Sequence, residues 1–332
     1  LHVTIAIPTY KTRGSIFKLL DSLKKQSYKK FSILFVYKEW EGWKETAAKI
    51  KEYKGLDIDF ARQDNGFFEE ALNTIFRKAD GDIVLHTDDD AFASRDWVKD
   101  HVALHSRDRN AGIATGVVDE SRLSDGSELP PFTSFLYHQK WRMNKHTLID
   151  KPIDDRFKDY GMYIGVSGLV VDTGRRHNMI KTFKQHGVNM SWKHGALHGF
   201  KFPGYAKSAL RNEQGAALEV INRGFYPIRF NAGRVFHPVQ ESLSRGTSPL
   251  LVSTELIVGD VLLSYYMSLF YKIDLDVLRL RTRIDDFVTR LATQNRNKGY
   301  SIGYELASKA IRQKWKPKRV RETLIETLKN VG

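Results

Sequence analysis

The 332 residues carry 53 Lys and Arg against 39 Asp and Glu, a formal charge of +14, with 41% hydrophobic and 28% charged side chains and no cysteine. Length and composition fit one enlarged α/β domain or two domains, and the absence of thiols excludes disulfides and thiolate metal sites. No run of about 18 apolar residues is free of charge, which excludes a transmembrane helix.

In chain order, His2 to Ile7 reads as a short strand ended by Pro8, not as the basic start of a signal peptide. Ser15 to Lys25 has Ile16, Leu19, Leu20 and Leu23 at helical spacing. Phe31–Val36 is a continuous apolar strand, Trp43–Tyr53 a helix, Ile58–Ala61 a short strand and Phe67–Ala79 a helix. Ile83–His86 is a strand, Arg95–His105 a helix and Ile113–Val118 a strand. This alternation predicts an α/β fold with a mostly parallel sheet covered by helices on both faces, and ligands beyond the carboxyl ends of its strands.

Between Asp119 and Asp159 the pattern breaks into polar sequence with Pro130-Pro131. Tyr163–Asp172 then reads as a strand, Thr173–His186 as a helix, and Trp192–Ala206, rich in Gly, His and aromatics, as a binding loop. Asn212–Arg223 is a helix ended by Gly224, and Tyr226–Phe230 is a strand. The rest is helical, over Leu250–Tyr271, Leu275–Thr293, Ile302–Arg312 and Val320–Leu328. These patterns divide the chain at about residue 245 into an α/β part (1–245) and a helical, basic extension (246–332). From Arg279 to Gly332 there are 14 Lys and Arg against 5 Asp and Glu.

The chemistry centres on Ile83-Val84-Leu85-His86-Thr87-Asp88-Asp89-Asp90, an apolar strand running straight into three carboxylates. Asp88 and Asp90 alternate along the chain and can face the same way, where their repulsion calls for a cation. Hard divalent ions such as Mn²⁺ or Mg²⁺ prefer oxygen ligands. An acidic loop after a strand is the plainer alternative, and both readings stay open on this stretch alone.

Several other segments occur in a recognisable order. Ile5-Ala6-Ile7-Pro8-Thr9-Tyr10, Gln26-Ser27-Tyr28-Lys29-Lys30-Phe31-Ser32-Ile33, and Asn65-Gly66 with Asn73 and Gly81 all precede the Asp cluster. Gly165-Val166-Ser167-Gly168, Asn212-Glu213-Gln214 and His237 follow it. In this order, over residues 1–238, the chain resembles nucleotide-sugar glycosyltransferases of the GT-A fold, closest to glycosyltransferase family 2, with Asp88 and Asp90 as the DxD pair. The resemblance implies a GT-A, Rossmann-like sheet with an α-helical C-terminal extension. It implies a hexosyl transfer from a UDP- or GDP-sugar to a glycan or lipid-linked acceptor, by inverting single displacement.

The resemblance makes Glu213 the base, and Asp88, Asp90 and His237 the holders of Mn²⁺ or Mg²⁺. Pro8, Tyr10, Asn73 and Asp89 fall on the donor side, and Gly165 and Gly168 on the sugar side. Two departures stand out. After the second strand, where the family carries Asp residues for base and ribose, Val36-Tyr37-Lys38-Glu39 offers Tyr37 for stacking and Glu39 for ribose hydroxyls. The family's Glu-Asp pair is Asn212-Glu213. Asp64, with Arg62 nearby, is a further nucleotide candidate, and Trp192 and His198 are candidates for stacking on an acceptor sugar.

Leu250–Tyr271 holds Glu255 and Asp260 and does not span a bilayer. Further on, Trp315 stands among Arg312, Lys314, Lys316, Lys318, Arg319 and Arg321, a composition suited to anionic headgroups. The expected location is cytoplasmic, peripheral on the inner face of a membrane through this tail. A sugar-nucleotide nucleotidyltransferase is a competing enzyme class, although Thr9-Tyr10-Lys11-Thr12-Arg13-Gly14 is a poor phosphate loop. A non-catalytic binder of anionic polymers on the same scaffold is the other. Nucleic acid is disfavoured because a binder has no need of Asp88, Asp90, Glu213 and His237 together.

Overall fold

The computed structural model describes residues 1–11, 14–63, 66–120, 146–175, 177–206, 211–238, 254–293 and 298–329. The first half alternates as β1 (Val3–Thr9), α1 (Ser15–Lys24), β2 (Phe31–Tyr37), α2 (Trp43–Lys51), β3 (Ile58–Arg62), α3 (Phe68–Lys78), β4 (Ile83–His86), β5 (Phe92–Ala93), α4 (Trp97–Arg107), β6 (Ala111–Thr115) and β7 (Val118–Asp119). There follow β8 (Met162–Ile164), β9 (Val170–Asp172), β10 (Met179–Lys181), β11 (Met190–Lys193), α5 (His194–Leu197), α6 (Asn212–Asn222), β12 (Tyr226–Phe230) and β13 (Val235–Phe236). The chain then continues as α7 (Thr254–Met267), α8 (Leu275–Thr293), α9 (Gly299–Arg312) and α10 (Pro317–Lys329).

The large sheet runs β10-β12-β6-β11-β4-β1-β2-β3. The pairs β3–β2, β2–β1, β1–β4 and β12–β6 are parallel, while β11 lies antiparallel between β4 and β6. Every residue of β1 is buried. Val3, Ile5 and Ile7 pack with Ile16, Leu19, Leu20 and Leu23 of α1, while Ala6 packs with Ala71, Leu72, Ile75 and Phe76 of α3. Helices thus cover both faces, which explains the near-continuous apolar strands. The carboxyl ends of β1, β2 and β4 form one rim of the sheet.

Three expected elements differ. Tyr163–Asp172 is a hairpin, β8 paired antiparallel with β9 (Tyr163 opposite Val171), and Gly165-Val166-Ser167-Gly168 is its turn. Thr173–His186 is not a helix, because Met179–Lys181 pairs with Phe230–Ile228 and the Thr182 N–H continues that pairing to Pro227 O. Trp192–Ala206 is not one long loop, since its first residues end a central strand. The predicted helix start at Leu250, and Pro130-Pro131, lie outside the described residues.

The C-terminal helices share a hydrophobic cluster with the second half of the α/β part. Phe157, Tyr163, Phe183, Tyr205 and Leu218 pack with Val258, Leu262, Tyr266, Leu306, Trp315, Val320 and Leu324. Trp315 is 5% exposed, its backbone carbonyl accepts the Tyr265 hydroxyl at 2.7 Å, and Arg319 lies over its ring. The tail's aromatic is therefore a core residue and not a headgroup anchor. Arg321 reaches back to donate to Glu69 in the first turn of α3. Replacing Trp315 with Ala should lower unfolding free energy by about 3–5 kcal/mol, measured by urea denaturation, because it empties a large packed volume.

Candidate active site

The Asp cluster leaves the sheet at the end of β4. The Thr87 N–H still bonds to Ala6 O, so the strand holds its line until the turn begins at Asp88. Asp89 turns inward, where its carboxylate accepts the Thr9 hydroxyl and ties the ends of β1 and β4 together. Burial raises its pKa to about 7; the Thr9 bond opposes the rise and the charges of Asp90 and Asp88 add to it. The Thr9 bond makes Asp89 a pin between the two strand ends, while part of the residue stays exposed.

Asp88 and Asp90 remain beside His237, and the three offer ligand atoms that all lie within 4.8 Å of one another. His237 is delivered by β13, where Val235 pairs with Ala93 and with Val118, and Phe236 with Phe92 and Asp119. Its Nε2 lies 3.3 Å from Asp90 Oδ1 and its Nδ1 3.3 Å from Glu120 Oε1. Burial works against a charged imidazole here, but the bonds to Asp90 and Glu120 outweigh it and lift the pKa to about 10. Two carboxylates and an imidazole suit Mn²⁺ or Mg²⁺ at the acid end, with Mn²⁺ the better match for the nitrogen. Glu120 behind the imidazole is the usual second partner of a metal-binding histidine.

Glu213 stands in the first turn of α6. Arg211, in a left-handed conformation (φ 65°), precedes it and makes a paired contact to Asp260 of α7 at 2.9 and 2.8 Å. Burial pushes the Glu213 carboxyl up to about 7; its own N–H and the Arg211 cation pull down, and the charge of Asp88 pushes further up. The Asp88 charge therefore acts on both His237 and Glu213, which brings the metal candidates and the base candidate within electrostatic reach of one another.

Gly187 lies against Glu213. A Cβ at that position would meet Glu213 Oε1 at 3.0 Å, and Gly187 O also accepts from His86 Nδ1. Gly187→Ala should displace the carboxylate and reduce kcat by up to about 100-fold with little change in melting temperature, as read by steady-state kinetics beside a thermal melt.

One buried amide braces the whole rim. Asn189 donates to Val117 O at 2.8 Å and to Gly233 O at 2.7 Å, and accepts from the Trp97 indole at 2.8 Å and from His101 at 3.0 Å. All four hydrogen bonds available to the side chain are made. They join the segments that lead to Glu120 and His237 with the helix that follows the Asp cluster.

Other expected site residues lie elsewhere or are already engaged. Pro8 is buried within β1, and Tyr10 at the rim is 38% exposed, edge-on to Trp40. Tyr37 stacks on Trp43 with ring centroids 4.1 Å apart, so packing already uses a face of its ring. Glu39 pairs with Arg62 at 3.1 Å on the surface. Asn73 exchanges hydrogen bonds with the backbone of Phe202, at 2.8 and 3.1 Å, and holds that segment instead of a nucleotide. Asp64 lies outside the described residues.

On the acceptor side, Trp192 is 1% exposed and packs on Phe76, so it is a core residue and not a sugar platform. His198 follows α5 at the opposite edge of the sheet, because β11 runs down against β4 and the His194 N–H bonds to Asp82 O, before that strand begins. Gly165 and Gly168 serve internal contacts. A Cβ at Gly165 would strike the Asp150 carboxylate, and Gly168 has φ +78° against Ser264. The residue order does not by itself single out Glu120, Thr9, Gly187 or Asn189. Of these, only Thr9, which ends β1 opposite the Asp cluster, had a usable signal in the residue order.

Residues 4–160 match the family profile described as glycosyl transferase family 2. No curated protein sequence matches the chain. Among solved structures, the mannosyltransferase PcManGT from Pyrobaculum calidifontis, in complex with GDP-Man and Mn²⁺, is similar at 17% identity and TM-score 0.55, over 93% of this chain and 75% of that one. S. aureus TarS 1–349 in complex with UDP-GlcNAc is similar at 12% identity and TM-score 0.52, over 94% and 92%. GalNAc-T7 with UDP, GalNAc and Mn²⁺ is similar at 14% identity and TM-score 0.55, over 90% and 59%. The fold is GT-A.

Proposed function

We propose that the chain, whose residues 4–160 match the glycosyl transferase family 2 profile on a GT-A fold, transfers a sugar from a nucleoside-diphosphate sugar to an acceptor hydroxyl by inverting single displacement. Glu213 takes the acceptor proton as that oxygen attacks the anomeric carbon. The new bond is acceptor oxygen to anomeric carbon, and the bond broken is anomeric carbon to diphosphate oxygen, which leaves with the electron pair.

Asp88, Asp90 and His237 would hold Mn²⁺ or Mg²⁺, and a bound divalent ion offsets negative charge developing on the diphosphate. Glu120 orients His237 through Nδ1, and the Thr9–Asp89 bond keeps the two strand ends from parting. A Glu213 pKa of about 7 suits a base that works near neutrality. The single observation that supports the reading is the convergence of Asp88, Asp90 and His237, whose ligand atoms lie within 4.8 Å of one another, with the Asp88 charge acting on Glu213 as well.

GDP-Man and UDP-GlcNAc, found in two of the similar structures, are the first donors to try. Acceptors are glycans and lipid-linked glycans. The deciding experiment incubates donor, Mn²⁺ or Mg²⁺ and acceptor, measures the nucleotide released and reads the anomeric configuration by NMR. Nucleoside diphosphate with inverted product is the expected result. Pyrophosphate release would favour a nucleotidyltransferase, and retained configuration would remove Glu213 from the role of base.

A further inference from the structure

Helix α8 shows two faces that are not alike. Leu278, Arg281, Thr282, Asp285 and Thr289 are turned inward and buried, and Arg281 donates to the buried Asp150 carboxylate at 2.7 Å. At 100° per residue, Leu280, Ile284 and Phe287 fall together on a second stripe, away from that face. Leu280 is 46% exposed and Phe287 63% exposed. Beside this stripe, at the same helical spacing, stand the exposed Arg279 and Arg283 and, further on, Arg290 paired to Asp286 at 2.7 Å, while the exposed Asp276 lies at the start of the stripe. The turn that leads into the helix adds Leu269 at 47% and Phe270 at 49%, with Lys272 exposed next to them. Four of the nine large hydrophobics that the described residues expose thus fall within nineteen positions of the chain, two of them on the α8 stripe itself.

We propose that the outward face of α8 docks on an anionic lipid surface. An apolar stripe edged by arginines is what a helix lying in a bilayer interface presents: the apolar side chains enter the acyl boundary and the guanidinium groups meet headgroup phosphates. A net charge of +14 adds a long-range pull in the same direction. No helix among the described residues is long and apolar enough to cross a membrane, so contact through this face is by lying on the surface. A two-fold contact between copies of the chain is less suited to the face, because it would set one arginine row against another.

The surface differs from the basic stretch around Trp315, where the aromatic is buried and the cations have no exposed apolar side chain to insert. The test uses the full chain in vesicle co-sedimentation, with phosphatidylcholine alone and with phosphatidylglycerol added, at low and high salt. Binding should require phosphatidylglycerol and weaken with salt. The double substitution Arg279→Gln with Arg283→Gln should weaken it about 30-fold, and Leu280→Ser with Phe287→Ser at least as much, with melting temperatures unchanged. Lys316→Gln with Lys318→Gln should leave it close to wild type. The proposal fails if the wild type ignores anionic vesicles, or if only the substitutions near Trp315 matter. It also fails if light scattering shows a dimer that the α8 substitutions dissolve while vesicle binding is absent throughout.

Discussion

Glu213→Gln is expected to retain metal-dependent donor binding and to lose turnover by about 10²–10⁴-fold, the usual share of a positioned general base. The amide keeps the shape of the side chain at the start of α6 and removes only proton acceptance, so calorimetric donor titration separates binding from chemistry. The wild-type pH profile carries the same information. The base works deprotonated, so kcat/KM should rise with pH along a limb centred near pH 7, the value to which burial lifts this carboxyl. Asp88 contributes to that rise, and saturating metal, by offsetting the Asp88 charge, should move the limb toward lower pH. Arg211 acts in the other direction, so Arg211→Met should move the limb upward. A profile flat through this range, or normal turnover in the glutamine variant, would remove Glu213 from the reaction.

Asp90→Asn should weaken Mn²⁺ binding by about 100-fold or more, as read by calorimetry on the metal alone, since it takes away one of three converging ligands. The more informative partner is Glu120→Gln. Glu120 lies on the far nitrogen of His237, and its loss should cost about 10–100-fold in metal affinity without touching the metal directly. Donor affinity measured without metal should be the same in both variants and wild type. If Glu120→Gln binds Mn²⁺ as the wild type does, the bond between Glu120 and His237 has no part in orienting the ligand.

The parts of this site that lie within one short segment were readable from residue order. Ile83–Leu85 is apolar without interruption because both sides of β4 are covered, and Asp88 and Asp90, only two positions apart, are brought together by the turn that follows the strand, which the Ala91 N–H closes on Asp88 O, not by strand alternation. His237 and Glu120 depend instead on β13 lying parallel to β7, a pairing of two-residue strands that leaves almost no pattern in the chain. Gly187 matters because α6 sets Glu213 against it, a contact between segments that residue order does not carry.

The aromatic-rich stretch after Met190 misled for a physical reason. Trp and Phe are as much a sign of a packed interior as of a sugar platform, and nothing in Met190-Ser191-Trp192-Lys193 tells which way the strand runs. Its downward direction sends His198 to the far rim. The tail tells the same story, since Trp315 among cations suits a headgroup but is held by Tyr265 and Arg319 inside the protein.

The reversed strand at the middle of the sheet has a consequence for how the molecule is made. A ribosome must release residues 190–193 before β4 and β6 can be bridged, so the two halves of the sheet stay apart until well past the 4–160 region. Contacts this far apart in the chain slow folding and leave apolar strand edges open in the meantime. A nascent chain halted at residue 160 should therefore remain protease-sensitive, and one carried beyond the β11 residues should begin to resist digestion.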